Sequence, residues 1–166
     1  MTATLHVVFG PTGAGKSTYA KALARSEPAV HFAIDDWMAR LFAPDMPDPV
    51  EYEWMTDRVE RCEAQIWATL ASVMAAGVST VLDLGLMRRA DRARVAEIAR
   101  AVDLPFQFHF VTAPPLVRRQ RMLERNEVSG DGFSFAVTPQ MFDFMEGVFE
   151  APTPEELTGC IVSETA

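Results

Sequence analysis

Leu5 to Phe9, "LHVVF", is a short apolar run that stops at Gly10. The residues that follow, Gly10, Pro11, Thr12, Gly13, Ala14, Gly15, Lys16 and Ser17, fill the spacing G-x-x-x-x-G-K-[ST] at every position. This stretch constrains the fold more than any other, because it works only between a strand and a helix. Glycines let successive backbone N–H groups turn inward on phosphate oxygens, and the next helix points its positive end at the same spot. Lys16 adds a point charge toward the β and γ phosphates, and the Ser17 hydroxyl suits Mg²⁺. Thr18 follows directly and is counted with the loop as a nucleotide contact. The alternative for such a stretch is a glycine-rich turn with no ligand.

The rest of the chain alternates strand and helix patterns. Gly15 to Arg25 reads as a helix with Tyr19, Ala20, Leu23 and Ala24 on its apolar face, and Val30 to Ile34 as a second strand. A short helix from Trp37 to Phe42 and the proline-rich "APDMPDPV" lead into the longest helical pattern, Glu51 to Ala76. "VSTVLDLG" is the third strand. A helix from Arg89 to Val102, with Val95, Ile98 and Val102 inward, precedes the fourth strand, Pro105 to Val111. Pro114 and Pro115 open a helix to about Asn126, "SGDGF" reads as a flexible loop, Thr138 caps another helix, and "GCIVS" is a last strand. Such alternation predicts an α/β fold: a parallel sheet with helices on both faces and ligand sites at the strands' C-terminal ends.

With 166 residues, 49% hydrophobic and 23% charged, the chain fits one domain spanning 1–166. A net charge of −8 argues against broad affinity for nucleic acid, which rests on neutralising many phosphates. No apolar stretch reaches the length of a membrane span and no signal-peptide pattern opens the chain, so the expected location is cytoplasmic. Cys62 and Cys160 lack the spacing of a metal site and read as reduced thiols.

Three further features carry chemistry. Asp83 ends the apolar strand "TVLD", where such folds place a carboxylate that holds the metal; a plain turn aspartate is the other reading. Leu84 follows it, not the glutamate with which many motor ATPases activate water. Asp35 and Asp36 end the second strand, where a hydroxyl acceptor could give its proton to Asp35, while Asp36 suits a helix N-cap. Trp37 beside them is a candidate floor for an acceptor pocket. In "PPLVRRQRMLERNE", Arg118, Arg121 and Arg125 share one helix face, suited either to a transferring phosphate or to pairing with neighbouring glutamates. With Gly130 and Gly132 as hinges, about 114–137 reads as a lid.

In this order, "GPTGAGKST", "HFAIDDWMARLF", "VERCEAQIW", "VLDLGL", "PPLVRRQRMLERN" and "VTPQMFDFMEGVFEAPTPEE", the chain resembles the small P-loop kinases grouped with polynucleotide 5′-kinase, zeta toxin, chloramphenicol phosphotransferase and gluconate kinase. It is most similar to stand-alone bacterial AAA-type ATP-binding proteins of that group. The resemblance implies a three-layer P-loop NTPase fold with five parallel strands in the order 2-3-1-4-5. It also implies transfer of phosphate from ATP, with Mg²⁺, to a hydroxyl. The acceptor-side base falls on Asp35 and the lid arginines on Arg121 and Arg125. Polynucleotide kinases carry an arginine shortly after the acidic pair, and here that place is Met38, which weakens a polynucleotide acceptor.

The expected activity is therefore an ATP-dependent kinase for a small hydroxylated molecule. Its catalytic residues are Asp35, Lys16, Arg121 and Arg125, and its metal ligands Ser17 and Asp83. Alternatives are a zeta-toxin-like kinase for a nucleotide sugar and a non-kinase ATP-dependent switch that binds a protein partner. No N-K-x-D segment appears, which disfavours a GTP switch.

Overall fold

A computed structural model describes residues 3–127 and 137–166, with the side chains of 126–127 excepted; the "SGDGF" loop and its glycines lie outside them. Five strands form one sheet: β1 (Leu5–Phe9), β2 (Ala29–Ala33), β3 (Ser79–Asp83), β4 (Phe106–Thr112) and β5 (Ile161–Glu164). Their order is β2-β3-β1-β4-β5, and every pairing is parallel. The helices are α1 (Lys16–Ser26), α2 (Ile34–Phe42), α3 (Tyr52–Ala75), α4 (Arg89–Ala101), α5 (Pro115–Glu127), α6 (Pro139–Val148) and the short α7 (Pro154–Leu157).

Strand β1 has no polar alternation because both of its faces are covered. Leu5, Val7 and Phe9 join Cys62, Ile66, Leu70 and Met74 of α3 and Val95 and Ala99 of α4 in the main core. Val8 turns to the opposite face and packs with Ala20 of α1, Val81 and Val111, with Tyr19, Leu23 and Ala24 around it. A third cluster, Met122, Val137 and Phe142, joins α5 to α6.

Two elements differ from the sequence reading. Helix α2 starts at Ile34, three residues early, so Asp35 and Asp36 occupy its first turn, where acidic groups complement the helix dipole. Its N-cap is Ala33 with no side-chain cap, so Asp36 is not a capping residue. On α4, Ile98 and Val102 face out, Val102 at 66% exposure, and the buried series is Arg92, Val95, Ala96 and Ala99. Small alanines let this face approach the sheet, and Arg92 holds the rotation through its own hydrogen bonds. Thr138 does cap α6, accepting from the Met141 N–H.

Beneath α1, His109 of β4 is hydrogen-bonded on both ring nitrogens, to Tyr19 Oη at 2.8 Å and His6 Nδ1 at 3.0 Å. Burial, with His6 beside it, lowers the His109 pKa to about 4, and burial lowers His6 as well. The unfolded chain takes up the proton near pH 6.5 while the folded one refuses it until about 4, so stability present above 6.5 is lost as pH falls between the two. The loss for His109 is expected to be about 2 to 3 kcal/mol. Urea unfolding across that range checks it: His109→Phe should flatten the slope of unfolding free energy against pH.

Candidate active site

The loop from Gly10 to Gly15 joins β1 to α1 with backbone that only glycine accepts at two points. At Gly10, φ is +151° and a Cβ would stand 1.9 Å from the Val111 carbonyl oxygen; at Gly13, φ is +78° and a Cβ would stand 2.6 Å from the Arg118 carbonyl oxygen. The loop is thus wedged between the end of β4 and the first turn of α5. Lys16 Nζ donates to the Pro11 carbonyl at 3.0 Å, while Ala14 is fully buried beneath the loop.

In front of the loop lies a cavity of about 910 Å³ at the C-terminal edge of the sheet. Thr12, Gly13, Gly15, Lys16, Ser17 and Thr18 line one wall. Asp35, Asp36, Ala39 and Arg40 of α2 line another, Asp83, Gly85 and Met87 a third, and Arg121, Met122, Arg125, Val137 and Met145 the side toward α5 and α6. The fold therefore brings Lys16, Ser17, Asp35, Asp83, Arg121 and Arg125 to one space. A second cavity, of about 630 Å³, lies between α4, β4 and the segment around α7 and contains none of them.

The charges in this space act on one another. Burial lowers the Lys16 pKa from the usual lysine value, opposed by the charges of Asp83 and Asp35. Burial of its carboxyl also raises the pKa of Asp35, which lines the cavity; Asp83 adds to the rise, and Lys16 and Arg125 oppose it. Asp83 is 7% exposed, and His31 of β2 sits behind it with Nε2 3.6 Å from Asp83 Oδ2.

The set of oxygen donors fits Mg²⁺. Ser17 and Asp83 line the same cavity, and Mg²⁺ needs only one or two protein oxygens beside phosphate and water. Among the described residues no group of three or more His, Cys, Asp or Glu could cage a metal.

Several residues stand apart from expectation. Trp37 does not line the cavity; it packs on Phe32, ring centroids 6.4 Å apart, against the main core. Arg118 is buried and bonds Glu146 instead of facing the cavity. Arg121 does line it, and its Nη1 donates to Thr165 Oγ1 at 2.7 Å while Nη2 donates to the Ala166 carbonyl. Thr165 Oγ1 in turn donates to the Ala14 carbonyl at 2.9 Å, tying the end of β5 to the loop. Sequence reasoning missed His31, Glu146 and Thr165, because their partners are distant in the chain and no spacing announces them.

A parallel sheet in this order, with the glycine loop at the tip of its central strand and carboxylates on the two neighbouring walls, defines a P-loop nucleotide-binding domain of the kinase-like type. The chain belongs to the AAA domain family, which matches residues 5–152. Solved structures similar to it include a sugar kinase from Janibacter sp. HTCC2649, at 20% identity and TM-score 0.63, covering 98% of this chain and 85% of that one. A gluconokinase from Sinorhizobium meliloti 1021 gives 18% identity and TM-score 0.59, covering 99% and 83%. Chaetomium thermophilum Kti12, solved with ADP-AlF3, gives 16% and 0.70, covering 98% and 88%. Identities this low carry the fold and not the substrate. No curated protein matches the chain.

Proposed function

We propose that this protein is an ATP-dependent phosphotransferase that moves the γ-phosphate to a hydroxyl of a small molecule. The observation that carries the reading is the placement of Asp35 in one cavity with Lys16, Ser17 and Asp83. In this reading the loop and Lys16 hold the β and γ phosphates, and Arg125 and Arg121 offset charge on the transferring group. Asp35 accepts a hydrogen bond from the acceptor hydroxyl and takes its proton as the new P–O bond forms and the bond to ADP breaks. Mg²⁺, held by Ser17 and Asp83 together with the phosphates, would supply neutralisation of their charge. Burial favours a protonated Asp35, so an anionic base depends on the nearby cations that oppose it.

The acceptor would lie beside the wall of Asp35, Asp36, Ala39, Arg40, Gly85 and Met87, and the acidic net charge speaks against nucleic acid as that acceptor. No helix among the described residues is long and apolar enough to cross a membrane; action in the cytoplasm is part of the proposal. The test is incubation with Mg·ATP and a library of hydroxylated metabolites, read by mass spectrometry for a phosphorylated product. Loss of product in Lys16→Ala is the expected control. Binding of ATP with no product from any acceptor, and ATP-dependent capture of a protein partner instead, would replace the kinase with a switch.

A further inference from the structure

Arg118 shares a helix face with Arg121 and Arg125, yet the fold sends its guanidinium away from the cavity. The side chain is almost wholly buried. Its Nε donates to the Ala113 carbonyl at 2.9 Å and its Nη1 to the Thr12 carbonyl at 3.2 Å. Nη1 and Nη2 also form a fork on the carboxylate of Glu146 in α6, with Nη2 at 2.7 Å. The Phe142 ring lies beside the guanidinium, its centroid 5.8 Å from the central carbon. One side chain thus ties together the end of β4, the glycine loop and α6. A second link runs alongside, because Thr12 Oγ1 donates to Met145 Sδ at 3.4 Å.

The hydrogen bond to Thr12 has a geometric consequence inside the loop. In a trans peptide the C=O and N–H of one plane point in opposite directions. Drawing the Thr12 carbonyl onto Arg118 therefore aims the Gly13 N–H the other way, and Gly13 lines the phosphate cavity. The same loop residue rests against the backbone of Arg118, whose carbonyl oxygen occupies the place a Gly13 side chain would need. Glu146 completes the arrangement: a buried guanidinium without a carboxylate would be costly, and the fork fixes its plane and so the direction of the N–H that reaches Thr12.

We propose that Arg118, held by Glu146, is a positioning residue that sets the Thr12–Gly13 peptide for nucleotide phosphate, so that the placement of α6 and the affinity for ATP are coupled. The inference rests on reading the loop as a cradle for ATP and needs no particular acceptor.

The experiment measures affinity for Mg·ATP, and for pyrophosphate as a phosphate-only probe, by calorimetric titration well below the melting temperature. It compares wild type with Arg118→Lys, Glu146→Gln and the exchange R118E/E146R, with Tm recorded for each. Loss of one charge-assisted contact corresponds to a weakening of about tenfold, and the factor should be the same for both probes because both use the loop. The exchange should regain Tm by remaking the ion pair but not affinity, since a carboxylate at position 118 cannot donate to the Thr12 carbonyl. A purely structural pair would lower Tm and leave the affinity of the folded protein unchanged. That result, or recovery of affinity in the exchange, overturns the proposal; if the exchange does not fold, the two single variants decide.

A wild type that binds Mg·ATP but phosphorylates nothing removes the kinase reading and leaves this one standing. A wild type that transfers phosphate, with variants that bind as well as it does, removes this one alone. Failure of the wild type to bind Mg·ATP overturns both.

Discussion

Asp35→Asn is expected to lower the rate of phosphoryl transfer by about 10²- to 10⁴-fold, the contribution typical of a positioned general base. Affinity for ATP should stay near that of wild type. The amide keeps the size and the hydrogen-bonding reach of the carboxylate but cannot take the acceptor's proton. Asparagine also removes a negative charge that faces Lys16 and Asp83, so nucleotide binding should if anything tighten. The pH profile gives an independent sign. Burial and the Asp83 charge raise the Asp35 pKa, so the active, deprotonated form is reached later on the way up in pH. The acid limb of kcat/KM should therefore lie above the ordinary carboxylate range and should vanish in Asp35→Asn. An unchanged rate with the limb intact would take the base away from Asp35.

The largest effect on stability is expected at Arg92, which no functional argument would single out. It is 2% exposed, and its guanidinium meets the Leu86 carbonyl at 3.2 Å, the Glu150 carbonyl at 3.0 Å and the Glu156 carboxylate at 2.6 and 3.2 Å. It also lies 4.9 Å from the centre of the Phe9 ring. Arg92→Leu preserves much of the volume but leaves the carbonyls and a partly buried carboxylate without their donor. A loss of about 3 kcal/mol or more follows from the cost of breaking a buried pair. Glu156→Gln should cost less, about 2 kcal/mol, because the backbone carbonyls still accept from Arg92 and Thr153 still caps α7, although one amide oxygen replaces two carboxylate acceptors. Denaturant unfolding of the two variants distinguishes these outcomes. Equal losses would mean that the ion pair, and not the set of carbonyls, carries the energy.

The same cluster explains the segment "FEAPTPEE". Glu150 N donates to the Met87 carbonyl at 2.9 Å, Arg89 N to Glu150 Oε2 at 2.8 Å, and Glu156 grips Arg92, so residues 149–156 strap the chain leading to β5 onto the start of α4. Phe149 stacks on Phe110 beneath it, the planes 7° apart. The Arg92 fork also holds the carbonyls of Leu86 and Met87, in the loop that carries Gly85 and Met87 to the cavity wall. The segment is thus a brace for one side of the site.

What could be read from the chain follows from range. The glycine loop is a local device: its torsions, its flanking strand and helix and its lysine all lie between Leu5 and Ser26, and its place was legible. The parallel sheet was legible from the alternation of strand and helix, and its order from a resemblance of motifs. Asp35 and Asp83 stood out because each closes an apolar run in the sequence, although only Asp83 ends a strand. Misreadings arose where neighbours in space decide. Helix α2 begins at Ile34, which docks into the core with Met38 one turn on and leaves Trp37 packed on Phe32 and away from the cavity.

The arginine helix draws the line most clearly. By itself the sequence determined that Arg118, Arg121 and Arg125 lie on one side of a helix, since a period of 3.6 residues allows nothing else. Only the tertiary structure decided that Arg118 would be buried on Glu146 and Thr12, Arg121 tied to the end of β5, and Arg125 left facing Lys16 and Asp35. A long guanidinium side chain goes where acceptors most need a donor, and for Arg118 two of these, on Glu146 and Thr12, lie 28 and 106 residues away along the chain.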